Sequence, residues 1–282
     1  MIGTIERMPF SASIYYLVQR YVTRTVPRPS SSIDQVVANE ARHLCAFRQQ
    51  TGRELPHLVF EFGAGWDLCG AIVRAGLGVP KQIMGDIHRL ASAWQINHVI
   101  NWLDDHPRMA HPLTTISNVD KHLEATTGIS YRAPFDARDT GFAEGSVDLI
   151  TSTNTLEHIP ANDIRLILRE CHRILATDGV MSMLIDYSDH YSHADGTIGP
   201  YNFLQFSAAD WRRHDHNNHY QNRLRHCDFR ALFKEAGFTI LQDDPRLPDH
   251  PSIGLPSLDE EFRQYAEKDL LPTAGHFVLS RS

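Results

Sequence analysis

From His57 onward, short strand-like segments centred on apolar residues alternate with segments whose apolar residues recur every three or four positions. HLVFEF (57–62) reads as a buried strand, and KQIMGDIH (81–88), ISYRAPFDA (129–137), GSVDLITS (145–152) and GVMSMLID (179–186) read as four further strands. Between them, DLCGAIVRAG (67–76) reads as a short helix closed by Gly76, and residues 89–125 as mostly helical with interruptions at Pro107 and Pro112. The clearest helix is PANDIRLILRECHRILATDG (160–179). Its residues Ile164, Ile167, Leu168, Cys171, Ile174 and Leu175 share one face, and Gly179 follows its end. FRALFKEAG (229–237) predicts another helix, with FTILQDD (238–244) and HFVLSRS (276–282) as two last strands able to pair antiparallel at a sheet edge.

Upstream, Ile14, Leu17, Val18 and Tyr21 fall at helical spacing, and TVPRPSSSIDQ then breaks the pattern. Ser32 is the expected N-cap of a second helix with Ile33, Val36, Val37 and Leu44 on its inner face. Strands alternating with helices imply an α/β fold, a mostly parallel sheet covered on both faces. Residues 1–56 read as a helical extension or lid and residues 57–282 as the main domain, with a polar insertion at about 187–227.

The net charge of −7 disfavours nucleic acid as a partner, because phosphate binding asks for a basic face. No run of 18 apolar residues suggests an integral membrane segment. Cys45, Cys69, Cys171 and Cys227 are scattered without metal-site or redox spacing, which points to a reducing, cytoplasmic setting.

The candidate chemistry begins at FEFGAGWDLCG (60–70), where a strand ends, the chain turns and a helix starts. Gly63 and Gly65 permit a sharp turn and close approach of a ligand to the backbone. The dinucleotide fingerprint would place a third glycine where Leu68 stands, so a nicotinamide cofactor is disfavoured. Glu61, Asp86 and Asp136 stand at or near the ends of three strands, where open α/β sheets bind ligands. Three carboxylates with no basic residue among them suit a cation without phosphates.

The succession EFGAGWD, GDIH, FDARD, GSVDLITSTNTLEHI and LRECHRILATDGVMSMLI resembles the class I S-adenosylmethionine-dependent methyltransferases, most closely the branch of ubiquinone and menaquinone biosynthesis. The resemblance covers roughly residues 57–186 and the C-terminal helix and strands. It implies a Rossmann-like, doubly wound, seven-stranded sheet with a reversed last strand, and S-adenosyl-L-methionine as cofactor. It further implies that Glu61, Gly63, Ala64 and Gly65 line the methionine part and that Asp86, followed by Ile87, takes the ribose. Asp136 and Ala137 would meet the adenine, and Asn154, Thr155 and Leu156 would lie along the cofactor. Trp66 departs from the usual small residue at its position.

For the methyl acceptor, the insertion supplies Asp186, Asp189, His190, His193 and Asp195. His190 or His193 is the candidate general base, with an aspartate such as Asp189 orienting the ring. Some relatives hold a metal with an E-x-x-E-H run. Here Asn154 stands in its first place, so Glu157-His158 is expected to be structural and no metal is assigned. The expected activity is methylation of a small molecule, preferably at oxygen, on a specialised metabolite, sugar or phenol. C- or N-methylation and a cofactor-binding relative without turnover are the alternatives. The N-terminal helices suit a homodimer contact as well as a lid.

Overall fold

The computed structural model describes residues 26–104, 106–193, 195–214, 220–248 and 254–281. The expected helix around Ile14–Tyr21 and most of the histidine-rich run after His214 lie outside the described residues.

The chain begins with α1 (Ser30–Thr51), then β1 (Val59–Phe62), α2 (Cys69–Gly76), β2 (Gln82–Gly85), α3 (Ala93–Leu103), α4 (Val119–Thr127) and β3 (Ile129–Arg132). β4 (Val147–Thr153), α5 (Ala161–Ile174) and β5 (Leu175–Asp186) follow. After a segment of short turns containing α6 (Ala208–Trp211) come α7 (His226–Glu235), β6 (Phe238–Arg246), α8 (Glu267–Leu270) and β7 (Ala274–Arg281). The seven strands form one sheet in the order β3-β2-β1-β4-β5-β7-β6. β7 runs antiparallel between β5 and β6, and the other neighbouring pairs are parallel. The strand order reverses between β1 and β4, and that switch point opens a crevice at the carboxyl ends of these strands.

α5 buries Ile164, Ile167, Leu168, Cys171 and Ile174 against β4 and β5, the face its spacing predicts. Each such side chain removed from water contributes about 1.5–3 kcal/mol. Its first turn carries Asp163 and its last turn His172 and Arg173, in the sense the helix dipole favours. The helix ends one residue before Leu175, which already pairs with Val147 as the first residue of β5.

Other boundaries move for local reasons. α2 runs through Gly76, and it is Gly78, at φ +98°, that takes the left-handed conformation. α1 starts at Ser30 with Pro29 in the capping position, three residues before the expected Ser32 cap, because the Pro29 carbonyl already accepts from the amides of Ser32 and Ile33.

α1 is part of the molecule's framework. Leu44 and Phe47 pack with Val59, Val180 and Val278 of the sheet, and Ile33 and Val37 join the α2–α3 core. The same inner face carries two buried polar residues that apolar periodicity does not reveal, Glu40 and His43. A separate apolar cluster of Tyr201, Phe203, Leu204, Trp211, Phe262 and Leu270 ties the insertion to the segment before β7. Among the described residues no helix is long and apolar enough to cross a membrane.

Candidate active site

The glycine loop leaves β1 at the switch point. Gly63 (φ +82°) and Gly65 (φ +71°) both take backbone angles that side chains resist, for different reasons. A Cβ at Gly63 would lie 2.4 Å from the Thr155 side chain, so this glycine lets the β4 end pack against the loop. A Cβ at Gly65 would meet nothing within 4 Å, so this glycine faces open space. The Gly65 amide donates to Asp86 Oδ2 at 3.2 Å, and the His88 amide donates to Oδ1 at 3.0 Å. Asp86 is thereby fixed at the end of β2 with lone pairs left for a diol. Next to it, Ile87 is 66% exposed, an apolar side chain offered at the carboxyl edge of the sheet. Asn154 is exposed, in the left-handed region (φ +50°), at the end of β4. Open backbone, a held carboxylate and an exposed apolar side chain suit a nucleoside: room beside the main chain, an acceptor for ribose hydroxyls and a surface for the base.

Three expected contacts need correcting. Glu61 does not face the crevice. It is buried and ion-paired with Arg74, which also pairs with Glu40 of α1 at 2.6 Å, while Thr151 Oγ1 donates to Glu61 at 3.2 Å. Leu156 is 1% exposed and belongs to the core. Asp189 is buried with both oxygens used: Oδ1 accepts from the Tyr191 amide at 2.9 Å and Oδ2 from Asn202 at 3.0 Å, so it shapes the insertion. Basic residues are also present among the strand-end carboxylates. Arg74 neutralises Glu61, and exposed Asp136 forms an ion pair with Arg138 at 2.7 Å, which holds its carboxyl below the usual range. Ala64 and Ala137 are buried beside the loop and the β3 end.

On the other side of Asn154 lies a cavity of about 420 Å³. Its walls include Arg42 of α1, Asn154, Asp186 and His193 after β5, and Arg246 and Gly275 at the β6–β7 end. His193 is exposed, with Nε2 3.0 Å from Ser188 Oγ and 3.6 Å from Asp186 Oδ2. Burial alone would raise the Asp186 carboxyl, but His190 beside it and hydrogen bonds from the Ser188 hydroxyl (2.6 Å) and amide (2.7 Å) hold it below the usual range. His190 lies 3.6 Å from the same carboxylate and stacks on His193. Asp195 is exposed and caps its own turn at Thr197. Sequence reasoning missed Arg42, Arg246 and the Glu40–Arg74 pair, since no local motif marks residues brought together only by the packing of α1 and by the β6–β7 pair.

Residues 115–183 match the family model described as "Methyltransferase domain". No curated protein sequence matches the chain. Among solved structures, the chain is similar to a SAM-dependent methyltransferase from Archaeoglobus fulgidus (TM-score 0.51, 11% identity, 95% of this chain and 99% of that one). It is similar as well to the PH0226 protein from Pyrococcus horikoshii OT3 (TM-score 0.50, 11% identity, the same coverage). These likenesses concern the fold. The matched domain spans β3, β4 and most of β5, and the strand order and switch-point crevice of the sheet agree with that match.

Proposed function

We propose that the protein methylates a small molecule at oxygen, and that the acceptor carries an anionic group. The observation that carries this reading is the cavity beyond Asn154, which adjoins the cofactor crevice and is lined by His193 and Asp186 on one side and by Arg42 and Arg246 on the other. Its volume of about 420 Å³ suits a small metabolite. Neither arginine has an ion-pair partner among the described residues, so both are available to a carboxylate, phosphate or phenolate.

The bound cofactor supplies an electrophilic methyl on a sulfonium. The chain's own residues hold it by Asp86 and the Gly65 backbone, orient the acceptor through Arg42 and Arg246, and take the acceptor proton at the His193 ring, whose Nε2 already donates to Ser188 Oγ. Asp186, 3.6 Å from Nε2, stabilises the imidazolium that forms. α1 forms one wall of the acceptor cavity through Gln35, Asn39 and Arg42, in keeping with a lid role for this part of the chain.

The test uses cofactor with a deuterated methyl, a panel of hydroxyl- and amine-bearing acceptors with and without an anionic group, and fragmentation of the products. Label on oxygen of anionic acceptors is expected, with KM raised in Arg42→Ala and kcat lowered about 10²- to 10⁴-fold in His193→Ala. Label on nitrogen or carbon, or turnover indifferent to His193→Ala, overturns the assignment.

A further inference from the structure

We propose that Arg28 is a positioning residue for the cofactor: through Asp67 it holds the far half of the glycine loop in the form that receives the sulfur nucleoside. The loop between β1 and α2 is fastened in two places. Its near half is tied to the end of β2, where the Gly85 carbonyl accepts from the amides of Gly63 (3.0 Å) and Ala64 (3.4 Å) and Asp86 accepts from the Gly65 amide. Its far half is held through Asp67 by Arg28, which stands just before α1.

Arg28 Nε donates to Asp67 Oδ2 at 2.7 Å, and Nη2 donates to Oδ1 at 3.1 Å. Two-point pairing of a planar guanidinium with a carboxylate fixes orientation as well as distance. Asp67 is buried, and the Arg28 side chain is 35% exposed. Arg28 is itself fixed from behind. Its carbonyl accepts from His98 Nε2 of α3 at 3.0 Å, and the next residue, Pro29, caps α1. The guanidinium is therefore presented from a rigid place in the fold.

Asp67 passes this constraint into the backbone. Besides holding Arg28, its Oδ1 accepts at 3.1 Å from the Cys69 amide, one of the donors that the first turn of α2 leaves without a helical partner. Leu68, between the two, has no side-chain acceptor with which to cap the helix, and it takes the left-handed conformation (φ +52°, ψ +29°). A leucine side chain resists that conformation, which persists only where the surroundings over-determine it. Here they do so from two sides: the Arg28–Asp67–Cys69 chain, and burial of the Leu68 side chain in the α2–α3 core. The sharp turn at Leu68 leads the chain from the crevice into α2, and it thereby sets where the Gly65 and Trp66 backbone lies.

Without Arg28, Asp67 has neither its orientation nor a partner for its charge, and the loop relaxes at Leu68. A ligand that binds one form of a loop has its affinity scaled by the fraction of molecules already in that form. The effect is therefore read in cofactor binding, beyond any loss of stability. The inference rests on the crevice holding S-adenosylmethionine and not on which atom is methylated.

The full chain is titrated calorimetrically with S-adenosylhomocysteine as wild type, Arg28→Met, Arg28→Lys, Asp67→Asn and Arg28→Met combined with Asp67→Asn, with circular dichroism and a melting curve on each. Arg53→Met is the control. The Arg53–Asp148 pair (2.6 Å, side chains 29% and 15% exposed) is comparably sheltered but lies at the amino ends of β1 and β4, opposite the crevice. Arg28→Met and Asp67→Asn are each expected to weaken binding about 10-fold or more, and Arg28→Lys less. The double variant is expected to match the weaker single one, since both substitutions break one contact. Arg53→Met is expected to melt earlier and keep wild-type affinity. If Arg28→Met does not fold, Arg28→Lys and Asp67→Asn carry the comparison. Folded Arg28 and Asp67 variants with wild-type affinity, or an Arg53→Met that weakens binding as much as they do, overturn the positioning role. A folded wild type that takes up no S-adenosylhomocysteine overturns the cofactor reading and this one with it.

Discussion

A methyl group added at Gly63 would meet Thr155 at 2.4 Å, whereas one added at Gly65 would meet nothing within 4 Å. Gly63→Ala is therefore expected to lose about 1–3 kcal/mol of stability through clash and backbone strain. Gly65→Ala, which adds only the strain, should melt closer to wild type yet lose affinity for the demethylated cofactor; thermal denaturation paired with titration checks the contrast. The two glycines are equally visible as letters, but their division of labour comes from Thr155, far along the chain just after β4. Asp86 was legible because its distance from the loop and its place at a strand end are local facts. Asp189 was misread because its type and neighbourhood suit catalysis, and only the Tyr191 amide and the Asn202 side chain reveal that both its oxygens are taken.

At the scale of elements, α1 and the glycine-loop strand share one buried cation. Arg74 of α2 binds Glu40 of α1 and Glu61 of β1, and its Nε donates to Gln82 Oε1 at 2.8 Å. Removing it leaves two carboxylates buried without a partner, a change that typically costs about 3–5 kcal/mol. Arg74→Met should fall in that range by denaturant unfolding, and Arg74→Met combined with Glu40→Met and Glu61→Met should recover part of the loss; a single variant as stable as wild type would contradict the clamp. The strands and α5 could be read from the sequence because burial on both faces and a 3.6-residue period leave direct marks. The polar face-mates Glu40 and His43 on α1 left none, since a period of apolar residues says nothing about where a buried charge finds its partner.

For the whole molecule, a buried polar chain links the first described helix, the sheet centre and the last strand: His43 Nδ1 to Ser182 Oγ at 2.7 Å, and Ser182 Oγ to His276 Nε2 at 2.8 Å. Burial pushes both imidazoles down to about 3 from the usual 6.5. The folded state keeps them neutral while the unfolded chain protonates them below about pH 6.5. Their contribution to stability is thus full above that pH and declines as the pH falls towards 3. By pH 5 the loss is up to about 2 kcal/mol per histidine. Unfolding curves at pH 7.5 and 5 should show this drop, and a reduced drop in His43→Gln; a pH-independent midpoint would contradict it. The order of strands and helices made the sheet legible from its sequence, while the acceptor cavity was not, because its walls come from α1, the insertion and the β6–β7 end at once. The central claim is that the switch-point crevice holds a sulfonium nucleoside through Asp86 and an open Gly65 backbone. Its most direct test is calorimetric titration of wild type and Asp86→Ala with S-adenosylhomocysteine, with NAD as control. One site per chain for the sulfur nucleoside is predicted, weakened about 10- to 100-fold in the variant by loss of hydrogen bonds to a charged group, with no uptake of NAD. A folded wild type that ignores S-adenosylhomocysteine, or a variant that binds it equally well, would contradict the account.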